Sequence, residues 1–358
     1  MVAEVNDPEL HVSLGELDMI RAVRTGRSGC VEVEVALTTS GCPMTEDLTR
    51  DVTAAASSVP GADDVRVTFT VMTEPERRAL AERFLANRPA GGHSTASGAA
   101  AVFAIASGKG GVGKSSVAAN LAVALAQQGK SVGLLDADVW GYSVPQLFGV
   151  RRSPIAMYET MLPVQAYGVR LMSLGFLVED EEPIVWRGPM LHKALTQFVH
   201  DVHWGPLDVL LLDLPPGTGD VTLSVLELLP DASLIVVTTP QQAARTVASR
   251  VGVMARDVGI PVAGVVENMS ELVCPHCDGR SALFGSGGGE QLAGELGVPL
   301  LGKVPLDAAL REAGDSGVPV VVGARESPSA RALIDVAAAL RPVRQPLLGR
   351  SLSLEPVG

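Results

Sequence analysis

The stretch "AVFAIASGKGGVGKSS", Ala101 to Ser116, decides the fold. Its first seven residues are small and mostly apolar with no polar alternation, which predicts a strand covered on both faces. Its end opens "SSVAANLAVALAQQG" (Ser115 to Gly129), a run with helical spacing. Between strand and helix, Gly108-Lys109-Gly110-Gly111-Val112-Gly113-Lys114-Ser115 is a complete match to G-x-x-x-x-G-K-S/T in its confirming context. The glycines let successive backbone N–H groups turn onto phosphate oxygens, and the following helix points its positive end there. Lys114 would then reach the β and γ phosphates of a nucleotide, and the Ser115 hydroxyl is a hard oxygen ligand suited to Mg²⁺. An ordinary glycine-rich turn requires neither residue.

Downstream of that loop, short aliphatic runs recur: "SVGLLDAD", "VRLMSLGF", "DVLLLDLPP", "SLIVVTTP", "VAGVVENM" and "PLLGKVP". Helical stretches separate several of them. This βαβ series predicts an α/β P-loop NTPase fold with a doubly wound, mainly parallel sheet over residues 101–342. Residues 1–86 read as a separate small α+β domain. Within it, "DPELHVSLGELDMIRAV" has helix-like spacing, "CVEVEVALTT" strand alternation, "PMTEDLTRDVTAAASSV" helix spacing again, and "DDVRVTFTV" strand alternation. Residues 87–100, "NRPAGGHSTASGAA", have linker composition, and the proline-punctuated tail 343–358 reads as disordered.

Composition narrows the function. A formal charge of −12 argues against a large nucleic-acid-binding face. No apolar run is long enough to span a membrane, and the start lacks a secretory signal pattern. Four cysteines in 358 residues do not make a disulfide framework; the pair spacing suits thiolate chemistry in a reducing compartment, so a cytoplasmic protein is expected.

Three aspartates stand where strands of this kind deliver catalytic carboxylates. "LLDAD" ends a strand with Asp136 and Asp138, and "LLLDLPPGTGD" ends another with Asp213. Asp213 is assigned to the Mg²⁺ shell, Asp136 near that shell, and Asp138 to positioning the attacking water. Capping or turn formation is the plainer alternative for Asp136 and Asp138. Gly217, in the turn after Asp213, is placed to act as a γ-phosphate switch.

The loop with Lys109 at its second position resembles the deviant phosphate loops of the MinD/ParA/nitrogenase-iron-protein group, whose signature is GKGGVGK. That resemblance implies that Lys109 crosses a dimer interface to the partner's nucleotide. It also implies that Asn268 offers its amide to adenine and that "VPLD", with Pro305 and Asp307, covers the base of ATP. Taken with "DADVWGYSVPQLFG", "DLPPGTGD" and "CPHC", nearly the whole chain resembles the Mrp-type (ApbC-like) iron–sulfur cluster carrier ATPases. The first 86 residues resemble the small iron–sulfur-assembly domain of such proteins, with Cys42 in the turn "TTSGCPM". Ser116 departs from the threonine usual there, a change without consequence for the chemistry.

"CPHC" holds Cys274 and Cys277, two thiolates for a site that wants four. Cys30 and Cys42 form no second C-x-x-C pair. The resemblance implies a homodimer, and two-fold symmetry would double one pair into the four ligands of a bridging [4Fe-4S] cluster. Zinc or a redox dithiol remain alternatives for the same spacing. His276 reads as a solvated turn residue, Cys42 as a nucleophile, transient ligand or turn thiol, and Cys30 as core. The expected function is a slow ATPase that carries the cluster between an assembly scaffold and apo iron–sulfur proteins, with neither nucleic acid nor membrane as partner. The alternative is a MinD/ParA-like positioning ATPase with a structural zinc. Its tail has no basic amphipathic helix for lipid, and its charge disfavours DNA.

Overall fold

A computed structural model describes residues 1–7, 13–26, 29–37, 45–62, 64–76, 79, 96, 99–138, 141–151, 153–157, 160–177, 188–274, 277 and 279–343. Cys42, His276, most of the expected linker and all of the tail beyond Val343 lie outside them. The chain divides into two compact units, one of Met1–His93 with Pro154–Val164, the other of Ser94–Ser153 with Gln165–Gly358.

The smaller unit is a three-stranded sheet. Its middle strand β2 (Cys30–Leu37) pairs antiparallel with β1 (Ile20–Thr25) and parallel with β3 (Asp64–Val71). Helix α1 (Thr45–Ser57) buries Leu48, Val52 and Ala56 at helical spacing. The core gathers Leu14, Leu17, Met19, Val33, Val35 and Leu48. The helix expected over Asp7–Val23 is not what forms among the described residues. Leu14, Leu17 and Met19 are buried at a helix-like interval, but the backbone closes a turn at Asp18, with φ 57°. Met19 then accepts from the Ala36 N–H, and the sheet begins. Burial spacing alone does not separate a tight turn followed by a strand from a helix.

In the larger unit the seven aliphatic runs become seven parallel strands. They are β4 (Ala101–Ser107), β5 (Val132–Asp136), β9 (Val169–Ser173), β10 (Val209–Asp213), β11 (Ser233–Thr238), β12 (Val262–Val273) and β14 (Leu300–Leu306). Their spatial order is β14-β12-β11-β4-β10-β5-β9. Of the short strands, β6 (Ile155–Met157) and β7 (Thr160–Leu162) form an antiparallel pair within the smaller unit, β8 (Val164–Ala166) lies beside β9, and β13 (Arg280–Ser281) is antiparallel to the end of β12. The doubly wound architecture expected from the sequence is therefore present. Strands β5, β10 and β11 are buried at every residue, which is why their sequences show no alternation.

Helices cover the sheet. Helix α2 (Lys114–Gln127) is apolar all round and buried through most of its length, and its alanines let it lie close to the strands. Helix α6 (Gln242–Asp257) buries one face through Ala244, Ala248, Val251 and Ala255. The chain passes from β4 over β10 to β5, continues outward to β9, returns to β10, then crosses to the other side of β4 at β11. A sheet of this kind opens its crevice at that reversal, beyond the carboxyl ends of the strands. Among the described residues no helix is long and apolar enough to cross a membrane.

The close approach of α6 to the end of β4 constrains Gly108. A Cβ there would stand 2.3 Å from the Ala248 nitrogen and 2.4 Å from the Val247 carbonyl carbon. Both are backbone atoms and have no rotamer to swing away. Gly108→Ala should lower the unfolding free energy by about 3 kcal/mol, the upper end of ordinary overpacking. Gly294→Ala, where nothing lies within 4 Å on an exposed helix, should instead stabilise by about 0.5–1 kcal/mol. Urea denaturation of both variants measures the contrast.

Candidate functional site

The crevice is built from the carboxyl ends of β4, β5, β10 and β12. The loop after β4 ends at Gly113, which caps α2 in the left-handed region at φ 80°. A side chain there would collide with the Asn268 amide, since a Cβ would fall 2.2 Å from Nδ2. Asn268, on β12 and 2% exposed, donates that Nδ2 to the Val112 carbonyl at 2.8 Å. Its Oδ1 is buried without a partner. The first task of this amide is thus to hold the loop's shape.

Lys114 is almost wholly buried. Its Nζ lies 2.6 Å from Asp213 Oδ1 and 3.5 Å from Asp138 Oδ2, and donates to Ser115 Oγ at 3.3 Å. The sheet register explains the convergence: Asp213 pairs with Ile105 of β4 on one side and Asp136 of β5 on the other. Asp213 is fully buried, and its second oxygen, Oδ2, has no partner. Burial pushes the Asp213 carboxyl above the ordinary carboxylate range, against the pull of the Lys114 ammonium and the Ser115 hydroxyl.

Asp136 has a different position. Its Oδ1 accepts from the Asp138 N–H, and its Oδ2 accepts from the Val144 N–H at 3.3 Å and the Ser173 hydroxyl at 2.9 Å. Burial first, then repulsion from Asp213, raises its pKa to about 8. Asp136 therefore shapes the backbone that presents Asp138. Beside the loop, Ser107 Oγ donates to the Lys109 carbonyl, and the Gly217 N–H donates to the Ser107 carbonyl at 2.8 Å. The turn after β10 is thereby tied to the loop's first residues.

Lys109 is half-buried and donates from Nζ to Gln241 Oε1 at 3.2 Å, at the N-terminus of α6. On the other side of the loop, a cleft of about 370 Å³ is lined by Gly113, Ser116, Asn268, Pro305 and Asp307 among others. Asp307 caps helix α8 (Ala308–Ser316), accepting from the Ala309 N–H at 2.9 Å and from the Ser329 hydroxyl at 2.8 Å. Burial raises its pKa, but these hydrogen bonds outweigh that and hold it below the usual range. With both oxygens engaged, Asp307 offers the cleft its backbone more readily than its carboxylate.

Cys274 and Cys277 sit in the hairpin between β12 and β13. The Cys274 N–H donates to the Gly279 carbonyl at 2.9 Å, closing the turn. A Cβ on Gly279 would stand 3.2 Å from Cys277 Sγ, so the missing side chain leaves the thiol its room. Arg280 pairs with Glu271 across the hairpin. Cys277 is exposed and Cys274 half-buried. Among the described residues no group of three or more histidine, cysteine and carboxylate side chains assembles that could hold a metal ion.

Residues 98–341 match the ParA family, described as NUBPL iron-transfer P-loop NTPases, and residues 1–69 match the iron–sulfur cluster assembly protein family. The iron–sulfur cluster carrier protein of Mycobacterium tuberculosis is 46% identical over 364 residues, covering 99% of this chain and 95% of its own. The chain belongs to the iron–sulfur cluster carrier family of P-loop NTPases. The solved nucleotide-binding protein of Archaeoglobus fulgidus in complex with ADP is 38% identical, with a TM-score of 0.55 over 62% of this chain and 87% of that one. The septum site-determining protein MinD of Pyrococcus horikoshii, at 24% identity and a TM-score of 0.52, covers 66% of this chain and 94% of its own and shares the fold.

For this carrier-family chain, sequence reasoning did not find Ser173, which holds Asp136, or Gln241, which holds Lys109. Ser173 had a usable signal, as the polar last residue of a buried strand beside β5. Gln241 had none.

The Lys114–Asp213 pair makes a testable claim. Removing one partner of a buried pair costs about 3–5 kcal/mol, because the other is left uncompensated. Lys114→Ala should therefore destabilise the nucleotide-free protein. The orphaned Asp213 would take up a proton on folding. A folded pKa above the unfolded value means stability is greatest at low pH and is lost as pH rises towards that folded pKa. Without the ammonium the already raised Asp213 pKa rises further, so the stability gap to wild type should widen as pH climbs above the ordinary carboxylate range, by at most about 1.4 kcal/mol per pH unit. Adding Asp213→Asn should abolish that slope; denaturant titrations at three pH values measure both effects.

Proposed function

We propose that the protein binds and slowly hydrolyses ATP, holds a [4Fe-4S] cluster between the thiol hairpins of two subunits, and passes it from an assembly scaffold to apo iron–sulfur proteins of the cytoplasm. The observation that carries this reading is the joining, in one compact unit, of a complete phosphate loop to a hairpin that presents two thiols. We further propose that residues 101–342 form this ATPase domain, and that residues 1–86, on the linker 87–100, serve cluster assembly.

ATP phosphates would lie against the amides of Gly110 to Ser115, with the ribose and adenine in the cleft by Pro305 and Asp307. Lys114 would give up Asp213 for the β and γ phosphates. The Ser115 hydroxyl and the unpartnered Asp213 Oδ2 are a fitting donor set for Mg²⁺, with Asp136 behind them. Bound there, Mg²⁺ supplies charge neutralisation of the phosphates. Asp138, fixed through its N–H by Asp136, orients the attacking water. Lys109 exchanges Gln241 for the partner subunit's nucleotide, so that hydrolysis requires the dimer. The cluster is cargo. Each subunit contributes Cys274 and Cys277, and loading needs both deprotonated, so it weakens at acid pH.

Cys274→Ala and Cys277→Ala should each eliminate bound iron and sulfide after anaerobic reconstitution, since either change removes two of four ligands per dimer. Iron should titrate to four per dimer, and Cys30→Ala and Cys42→Ala should leave that number unchanged. Two irons held within each isolated monomer, or zinc in place of iron after anaerobic purification, would refute the bridging cluster.

The crossed dimer has its own test. Lys109→Ala should still bind nucleotide yet lose most hydrolysis. Mixed with Lys114→Ala subunits, it should give the rate pattern of a site shared between chains. Hydrolysis by the two subunits in strict independence would sink the assignment.

A further inference from the structure

Strand β12 links the two halves of the site. Asn268 on this strand grips the phosphate loop through the Val112 carbonyl, and the same strand ends at Val273, immediately before Cys274. The connection between them is irregular. Asn268 pairs with Val304 of β14, but the next pair is Leu272 with Leu306, so four steps along β12 match two along β14. Two residues are extruded as a bulge. Met269 opens it in the left-handed region at φ 54°, a conformation that non-glycine residues adopt rarely and at a cost. Beyond the bulge the strand is regular again and carries the hairpin, through the pairs Leu272–Ser281 and Val273–Arg280.

On the nucleotide side, Met269 and Asn268 both line the cleft beside Gly113. The Met269 methyl lies 3.8 Å from where a Gly113 Cβ would be. A strained residue thus touches the nucleotide cleft at one end of a bulge, and the thiol hairpin hangs from the other. Packed strands with an extra-residue bulge have a small number of discrete arrangements, unlike a continuously deformable spring.

We propose that the Met269 bulge of β12 is the switch through which nucleotide at the phosphate loop changes the exposure of the Cys274–Cys277 hairpin. This rests on the ATP-binding reading and deepens it, by naming the element that couples nucleotide state to cargo. Filling the cleft moves Asn268 and Met269 together, the bulge takes its other arrangement, and the hairpin shifts with Leu272 and Val273. The left-handed Met269 makes the switch two-state, because its side chain holds the strained turn only while the cleft packs around it.

The test uses the metal-free full-length chain at a concentration where light scattering shows monomers, so that burial against a second copy does not contribute. The alkylation rate of Cys277 by N-ethylmaleimide is read peptide by peptide, with and without saturating Mg²⁺-ATP. Binding of a fluorescent ATP analogue is followed in the same samples. The wild type should show a rate change of about fivefold or more, the low end of ordinary couplings between sites. Met269→Leu, which keeps a Cβ and a comparable side chain, should retain it. Met269→Gly, to which the left-handed turn costs nothing, should lose the rate change even when nucleotide is raised to saturate that variant. If the wild type binds the analogue with no change at Cys277, or Met269→Gly keeps the full change, the switch is overturned while ATP binding stands. A wild type that fails to bind the analogue overturns both.

Discussion

A fully buried carboxylate with an ammonium 2.6 Å away sets the terms for the rest of the larger unit. Asp213 stands at the end of β10, between β4 and β5, in a sheet whose strands are otherwise aliphatic. An ionised carboxylate in that position is tolerable only beside a cation, and Lys114 is that cation. The requirement fixes much else. The loop must bring Lys114 back over the strand ends, so it needs left-handed Gly113. Helix α2 must begin at Lys114, so it is buried from its first residue. Burying the pair leaves the lysine at the strand ends, where the proposed reading places polyphosphate.

The thiol hairpin follows from a second constraint, the length of β12. Its first half sits between β11 and β14, deep in the sheet, with Asn268 fastened to the phosphate loop. Its second half runs beyond the end of β11, and on that side β13 pairs with it. Two cysteines at the tip of such an extension have backbone support from one side, and Gly279 keeps the thiol of Cys277 uncrowded. In the proposed dimer, two-fold symmetry would bring these two thiols to four, one self-complementary patch doing the work of two different ones.

The sequence made some of this legible and hid the rest for physical reasons. Each of the seven aliphatic runs became a parallel strand, because a strand covered on both faces leaves no other composition open to it. The phosphate loop was legible because Lys114 and Ser115 follow glycines in a strand-to-helix setting. The turn through Asp18 was not, because apolar spacing of Leu14 and Leu17 fits a helix equally well. Side-chain hydrogen bonds across the sheet were also invisible: Asn268 to Val112 spans 156 residues, Lys109 to Gln241 spans 132, and neither leaves a local pattern. Asp136 shows the limit most clearly. Its place at a strand end marked it for the metal shell, but nothing local showed that its oxygens also accept from the Asp138 and Val144 N–H groups and the Ser173 hydroxyl.

Charge balance gives the site its order of events. Asp136, Asp138 and Asp213 surround one ammonium, so the site would carry net negative charge if all three were ionised. A polyphosphate entering such a site would be repelled, and at the short distances of a buried pocket that repulsion is large. Burial and the neighbouring Asp213 raise the Asp136 pKa, and protonation of that carboxyl would lessen the repulsion by one charge. On the proposed reading Lys114 turns to phosphate, which would leave Asp213 uncompensated, with Oδ2 already unpartnered, and a divalent cation would restore the balance. On the reading proposed above, nucleotide and divalent cation would therefore be favoured together over either one singly.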